Sequence, residues 1–185
     1  MPVFRSPLVV DSAQARPCPL LRFSGIPQPG DFDRLLARAE DLVVQRTSDR
    51  RPFRAIIECL QNLERHAAPG TPVCFSLEGR TVKGEPRFRI RTVNQVRDGE
   101  GRQVSNWLAR HDQWQRDSKG TPTLGLAWRG LHRDALQMQA RTPRGGAGLG
   151  WLSLARHAVK PPFIGLRRGR RGERLFFSVE VACAA

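Results

Sequence analysis

The spacing of apolar residues changes at Pro69-Gly70, and this change constrains the fold more than any other feature of the sequence. Between residues 31 and 66, apolar side chains recur every three or four positions, which is the period of a helix with one buried face. After Pro69-Gly70, they alternate or cluster in short runs, which is typical of strands. We therefore expect an α+β fold in which helices cover one face of a mixed, mainly antiparallel sheet.

Two amphipathic helices are predicted before the change. The first starts at Asp31, whose carboxylate is expected to cap its N-terminus. The second runs from about Pro52 to His66, because proline is tolerated in a first turn. The apolar residues expected to be buried on the two helices are Phe32, Leu35, Leu36, Ala39, Leu42 and Val43, and then Phe53, Ile56, Ile57, Leu60 and Leu63.

Five strands and one more helix complete the prediction. A short strand at 20–23 precedes the first helix, and 73–77 and 88–93 form a hairpin across a connection at 79–86. Residues 151–159 have helical composition and end at Pro161-Pro162. Two last strands, at 163–166 and 175–181, flank an arginine-rich hairpin tip at 167–171.

The length of 185 residues suits one domain. We assign residues 1–18 to an N-terminal extension and 19–185 to the domain. No apolar run reaches the roughly 18–20 residues that cross a bilayer, and the first ten residues lack the pattern of a signal peptide. These features predict a cytoplasmic protein without a membrane span.

The four cysteines and the basic charge are the remaining compositional features. Cys18, Cys59, Cys74 and Cys183 form no CxxC pair, so we interpret them as reduced thiols, with Cys59 and Cys74 inside apolar patterns. The net charge of +14 attracts polyanions, whether nucleic acid, anionic lipid, nucleotide phosphates or an acidic protein. A basic, solvated surface without a ligand is the simpler explanation, and charge alone does not decide.

Two segments carry residue types suited to nucleotide chemistry. Glu58, Asn62 and Arg65 form a polar line along one edge of the second helix, where a carboxylate, an amide oxygen and a guanidinium can serve proton transfer, magnesium and phosphate. The loop Gly145-Gly-Ala-Gly-Leu-Gly150 enters a helix, and backbone N–H groups at such a start favour phosphate. Taken singly, the first is more simply interpreted as a solvated helix edge and the second as a flexible connection.

Together, the two segments resemble motifs of a known superfamily. The run Glu58-Cys-Leu-Gln-Asn-Leu-Glu-Arg-His-Ala67 resembles the N box of the GHKL ATPases, and Gly146-Ala-Gly-Leu-Gly150 resembles their second glycine box. More narrowly, the pattern resembles the SiaB-like bacterial protein kinases, which act with small SiaC-like regulators and are similar to anti-sigma-factor kinases. The resemblance implies a Bergerat fold, a two-layer sandwich with a lid at about 95–144.

The same resemblance implies roles for individual residues. Asn62 would hold Mg²⁺, Glu58 would be the catalytic carboxylate, and Arg65 would lie near the phosphates of ATP. Asn94 stands where the superfamily's first glycine box has an aspartate that binds the adenine amino group, and its neutral side-chain oxygen can still accept a hydrogen bond. The other implied nucleotide contacts are Arg144, by its position in the lid, and Gly145, Gly146, Ala147, Gly148, Leu149 and Gly150.

The prediction is an ATP- and Mg²⁺-dependent Ser/Thr protein kinase of the SiaB type. It would phosphorylate a small acidic SiaC-like regulator in bacterial partner-switching signalling, with biofilm control as an implied output. Homodimerisation is left open, and nucleic acid is not expected as a partner. The alternatives are a GHKL-fold sequestering protein with weak or no catalysis and, on net charge alone, a basic nucleic-acid-binding domain.

Overall fold

The computed structural model describes residues 18–97, 99–101, 105, 150–159, 162–169 and 174–184. In chain order, its helices and strands are β1 (Cys18–Gly25), α1 (Asp31–Val44), α2 (Arg51–His66), β2 (Val73–Val82), β3 (Glu85–Gln95), α3 (Gly150–His157), β4 (Phe163–Arg168) and β5 (Leu175–Ala184). None of the helices in this part of the chain has the length and hydropathy that a bilayer span requires. The predicted α+β class is confirmed.

The five strands form one sheet in the order β1-β2-β3-β5-β4. Every strand pairing among the described residues is antiparallel, so this part of the sheet contains none of the parallel pairing that a mixed sheet implies. The Bergerat arrangement in particular remains a prediction. The last strand, β5, lies between β3 and β4, and it therefore joins the strands β1, β2 and β3 to the edge strand β4.

The hairpin between β2 and β3 is tighter than predicted. The sequence suggested a connection at 79–86, but the strands pair as far as Val82↔Glu85 and only Lys83 and Gly84 form the turn. Both turn residues have positive φ, 53° and 83°, as a two-residue hairpin of type I′ requires. The prediction failed here because Gly79 and Arg80 break the apolar alternation, whereas backbone pairing continues through them.

Helix α1 starts where the sequence predicted, but its cap is different. Gly30 occupies the N-cap with φ 80°, and no side chain caps the helix. Asp31 is the first helical residue, and its Oδ2 accepts a hydrogen bond from the backbone N–H of Gln28, 2.7 Å away, instead of from a helical N–H. This backbone donor, followed by the guanidinium of Arg34, lowers the pKa of Asp31.

The core lies between the helices and the sheet face that α1, α2 and α3 cover. Ile56, Leu60 and Leu63 of the predicted α2 stripe are buried, whereas Phe53 and Ile57 are only partly buried, because α2 rotates Ala55 and Cys59 towards the sheet. The three described cysteine side chains are free thiols, as predicted: Cys59 and Cys183 are buried, but Cys74 is exposed on the opposite sheet face. Burial raises the pKa of Cys183 to about 12.

The other face of the sheet is polar and basic, and no described helix packs on it. Glu180 on β5 pairs with Arg91 at 2.7 Å and with Arg89 at 3.5 Å, and Arg89 also reaches Glu78 on β2 at 3.5 Å. These ion pairs bridge β2, β3 and β5. The same face also carries Arg22, Arg80, Arg87 and Arg167, for which no ion pair is found among the described residues.

Candidate functional site

The polar line on α2 lies at the edge of the buried stripe. Glu58 and Asn62 are half-buried, one turn apart, while Arg65 is exposed in the last turn. The rise of an α-helix sets Glu58 and Asn62 about 6 Å apart along the axis. The helix thus presents a carboxylate and an amide next to each other at the margin of the core, as the sequence predicted.

The C-terminal end of α2 is held by the end of β3. Asn94 is 4% exposed, and its Nδ2 donates to the carbonyl oxygens of His66, at 3.3 Å, and of Gln95, at 3.1 Å. Arg97 donates to two more carbonyl oxygens at this end of the helix, those of Ala67 at 3.0 Å and Arg65 at 3.2 Å. These bonds satisfy carbonyl groups that a helix end leaves without internal partners.

The same bonds orient the side chain of Asn94. Because the amide nitrogen faces the two carbonyl oxygens, Oδ1 points away from them, and no donor to it is found among the described residues. A buried acceptor without a donor is unfavourable unless a ligand or water supplies one. Asn94 therefore has a structural role and, within the described part of the chain, an acceptor atom for which no donor is found.

Helices α2 and α3 pack against each other in opposite directions. His157, at the end of α3, lies close enough to Asp49, Arg51 and Arg54, around the start of α2, for their charges to act on its imidazole. Further along, Ser153 of α3 and Glu58 of α2 line the same cavity. Gly150 precedes Ser153 by three residues, so the helical rise places it about 4.5 Å from Ser153 along the α3 axis, in the direction that leads from Glu58 to Asn62 on α2.

Three parts of the chain meet at one end of the core: the end of α2, the end of β3 with Asn94 and, since Asn94 pairs with Phe177, the first residues of β5. The start of α3 lies towards the same end, because α3 runs antiparallel to α2. A cavity of about 460 Å³ opens at this end, with Leu166, Leu175, Arg168, Gly101 and Ser105 as its lining. This end of the domain thus holds the cavity and the oxygen of Asn94, for which no donor is found among the described residues, and the start of α3 lies towards it.

A second, open cavity of about 350 Å³ lies along the groove between α2 and α3. Its lining consists of Arg54, Ile57 and Glu58 from α2 and Ser153, Arg156 and His157 from α3. Arg54 and Arg156 are exposed, and no ion pair of Glu58 with either is found in the described part of the chain. We refer to this cavity as the α2–α3 groove.

The imidazole of His157 differs from a solvent-facing histidine. Burial lowers its pKa most, and the positive charges of Arg54, Arg156 and Arg51 lower it further, while Asp49 acts in the opposite direction. His157 is therefore neutral at neutral pH, so the cationic groups that line the groove are the two arginines.

Most of the predicted glycine loop lies outside the described residues. Arg144 and 145–149 belong to that part, as does most of the lid predicted at 95–144. Gly150 is described and is the first residue of α3, one residue before the helix start that the sequence predicted.

Sequence reasoning missed Arg54, Ser153, Arg156 and Arg97. Ser153 and Arg156 approach Glu58 only because α2 and α3 pack side by side, a tertiary contact without a signal in either segment. Arg97 lies two residues after β3, and its bonds depend on the position of α2. Only Arg54 had a local signal, since it precedes Glu58 by one helical turn.

The described part of the chain is therefore an α+β domain with helices on one face of a five-stranded antiparallel sheet. This fold is similar to that of a chain in the crystal structure of the SiaB–SiaC complex from Pseudomonas aeruginosa, with a TM-score of 0.64 and 19% sequence identity. The match covers 89% of this chain and 90% of that one. No protein-family model and no curated protein sequence matches the chain, so membership of the GHKL superfamily remains a prediction.

Proposed function

We propose that this protein is an ATP-dependent Ser/Thr protein kinase of the SiaB type that phosphorylates a small SiaC-like regulator. One observation carries the proposal: Glu58 and Asn62 line an edge of α2 that runs towards Asn94, and α3 packs antiparallel beside this edge with its start towards the same end. The fold likeness to a chain of the SiaB–SiaC complex supports it.

The residues at this end fit the chemical parts of ATP. Oδ1 of Asn94 is suited to accept a hydrogen bond from the adenine amino group, and Leu166 and Leu175 of the cavity at this end of the sheet suit a planar base. The helix start at Gly150 supplies N–H donors for phosphate, and the side-chain oxygen of Asn62 is a suitable ligand for Mg²⁺. Bound Mg²⁺ would neutralise developing charge on the phosphates.

Glu58 has the proton-transfer role in this proposal. Its carboxylate takes the proton of the acceptor hydroxyl while that oxygen bonds to the γ-phosphorus and the bond from phosphorus to the bridging oxygen breaks, which releases ADP. The role is supported by the absence of an ion pair to Glu58 among the described residues, since an unpaired carboxylate is available to accept a proton.

The test separates binding from transfer. Titration calorimetry with ATP and Mg²⁺ measures binding, and transfer from γ-labelled ATP to a SiaC-like regulator measures activity. Glu58→Gln should lower transfer roughly 100-fold or more without abolishing binding. Asn62→Ala should weaken Mg²⁺-dependent binding. Glu64→Gln and Gln61→Ala, on the same helix, are the matched controls and should behave as wild type.

Two results would contradict the proposal. Absence of ATP binding removes it altogether. Binding without transfer favours the alternative of a sequestering protein, for which the specific observation is the neutral Asn94 where the superfamily has a charged acceptor.

A further inference from the structure

We propose that the α2–α3 groove binds acidic side chains that flank the phosphoacceptor residue, so that the kinase selects acceptor segments rich in aspartate and glutamate. The inference rests on the proposed function and adds to it the chemistry of the substrate segment. It is carried by the position of Arg54 and Arg156 relative to Glu58 and by the absence, among the described residues, of an ion pair to either arginine.

The arginines are too far along the helices to serve the phosphates of a nucleotide bound at Asn62. Arg54 precedes Asn62 by two turns, about 12 Å along α2, and Arg156 follows Gly150 by about 9 Å along α3. Glu58 lies between Arg54 and Asn62 in the same helix. The order along the groove is therefore nucleotide end, catalytic carboxylate, and then two cations.

An acceptor hydroxyl that gives its proton to Glu58 has to approach from the side opposite the nucleotide. The residues next to that hydroxyl then lie over Arg54 and Arg156, and Ser153 adds a hydroxyl that can donate to them. The volume of about 350 Å³ is enough for a few side chains and not for a folded partner, so a short segment is the fitting occupant.

The charges of the groove select the sign of that segment. Within the part of the chain that the structure describes, no carboxylate forms an ion pair with Arg54 or Arg156. Both guanidinium groups are exposed and keep their donors available, and a guanidinium pairs well with a carboxylate. Basic flanking residues would face two like charges, which disfavours them.

The experiment uses two short fluorescein-labelled peptides with a central serine, one flanked by glutamate and aspartate and the other by glutamine and asparagine. Fluorescence anisotropy measures binding to the full chain with Mg²⁺ and a non-hydrolysable ATP analogue. The acidic peptide should bind more tightly, and Arg54→Gln/Arg156→Gln should weaken it about tenfold, since each exposed ion pair contributes modestly.

The control is Arg22→Gln/Arg80→Gln on the other face of the sheet, which removes the same charge far from the groove. It should bind the acidic peptide nearly as wild type does. Equal weakening by both double variants would mean that only net charge acts, and unchanged binding in Arg54→Gln/Arg156→Gln would mean that the groove takes no part. Either result overturns the inference.

Calorimetry with ATP on the same variants separates this inference from the proposed function. ATP affinity should stay near the wild-type value in both double variants. If the wild type binds no ATP, the proposed function fails, whatever the peptides do. If ATP affinity falls in Arg54→Gln/Arg156→Gln, the arginines contact nucleotide and the inference about the acceptor is wrong.

Discussion

Asn94 donates a hydrogen bond from Nδ2 to the carbonyl oxygen of His66, 3.3 Å away, and so joins the end of β3 to the last turn of α2. The superfamily that the sequence resembles has an aspartate at this position. An aspartate could accept from adenine but, when ionised, could not donate to His66 or Gln95. The side chain of Asn94 therefore helps to cap the C-terminal end of α2.

Replacing Asn94 by the superfamily's residue should accordingly destabilise the protein. In Asn94→Asp, a buried carboxylate would face two carbonyl oxygens, and we expect a loss of about 2 kcal/mol or more at pH 7 by urea unfolding. This environment raises the carboxyl pKa in the folded state, so the loss should shrink as pH falls and the group becomes protonated. Wild-type stability for Asn94→Asp at pH 7 would show that the bonds are dispensable.

His157 should make stability depend on pH in a mildly acidic window. Its pKa is lowered in the folded state, chiefly by burial, so the unfolded chain binds more protons and stability falls as pH drops below about 6.5. Urea unfolding between pH 7.5 and about 5.5 should show this decline in the wild type and a smaller one in His157→Asn. Asp31 and Asp49, whose pKa values are lowered from 3.8, act only in stronger acid.

Glu180 should contribute to stability through the ion pairs of the open sheet face. It pairs with Arg89 and Arg91, and all three side chains are mostly buried, with 16% of Glu180 exposed. Glu180→Gln should cost about 1 kcal/mol in the free energy of unfolding, with a smaller difference at high salt. Glu85→Gln at the exposed hairpin is the matched control; a cost as large there would argue against a specific role for Glu180.

Cysteine reactivity should follow burial. Cys74 is exposed, while burial raises the pKa of both Cys59 and Cys183. A thiol assay with Ellman's reagent should therefore lose a fast-reacting group in Cys74→Ser and none in Cys59→Ser or Cys183→Ser, because the thiolate is the reactive form. A fast group lost in Cys59→Ser would mean that the core opens readily.

The sequence predicted those features of the fold that depend on local periodicity. The apolar spacing and Pro52 predicted the N-terminus of α2 to within one residue, because both signals lie within the helical segment itself. The extent of the β2–β3 hairpin was missed, since pairing through Gly79 and Arg80 comes from the neighbouring strands and not from side-chain pattern.

The candidate site was predictable only in part, for the same reason. Glu58 and Asn62 share a helix edge that is readable from their spacing, and the structure places this edge beside the start of α3. The hydrogen bond from Asn94 to His66, the lowered pKa of His157 and the approach of Arg156 to Glu58 all arise from contacts between distant segments. Such contacts leave no periodic mark in either segment.

The position of β5 between β3 and β4 has a consequence for synthesis. During translation, β3 and β4 emerge from the ribosome before the strand that separates them. Neither can therefore pair with β5 until Leu175–Ala184 has been synthesised. Pairs such as Arg87↔Ala184 join residues that are far apart in the sequence, and this separation slows their formation. We therefore expect the central strands to assemble only after β5 has emerged from the exit tunnel, with β1, β2 and β3 exposed to chaperones until then.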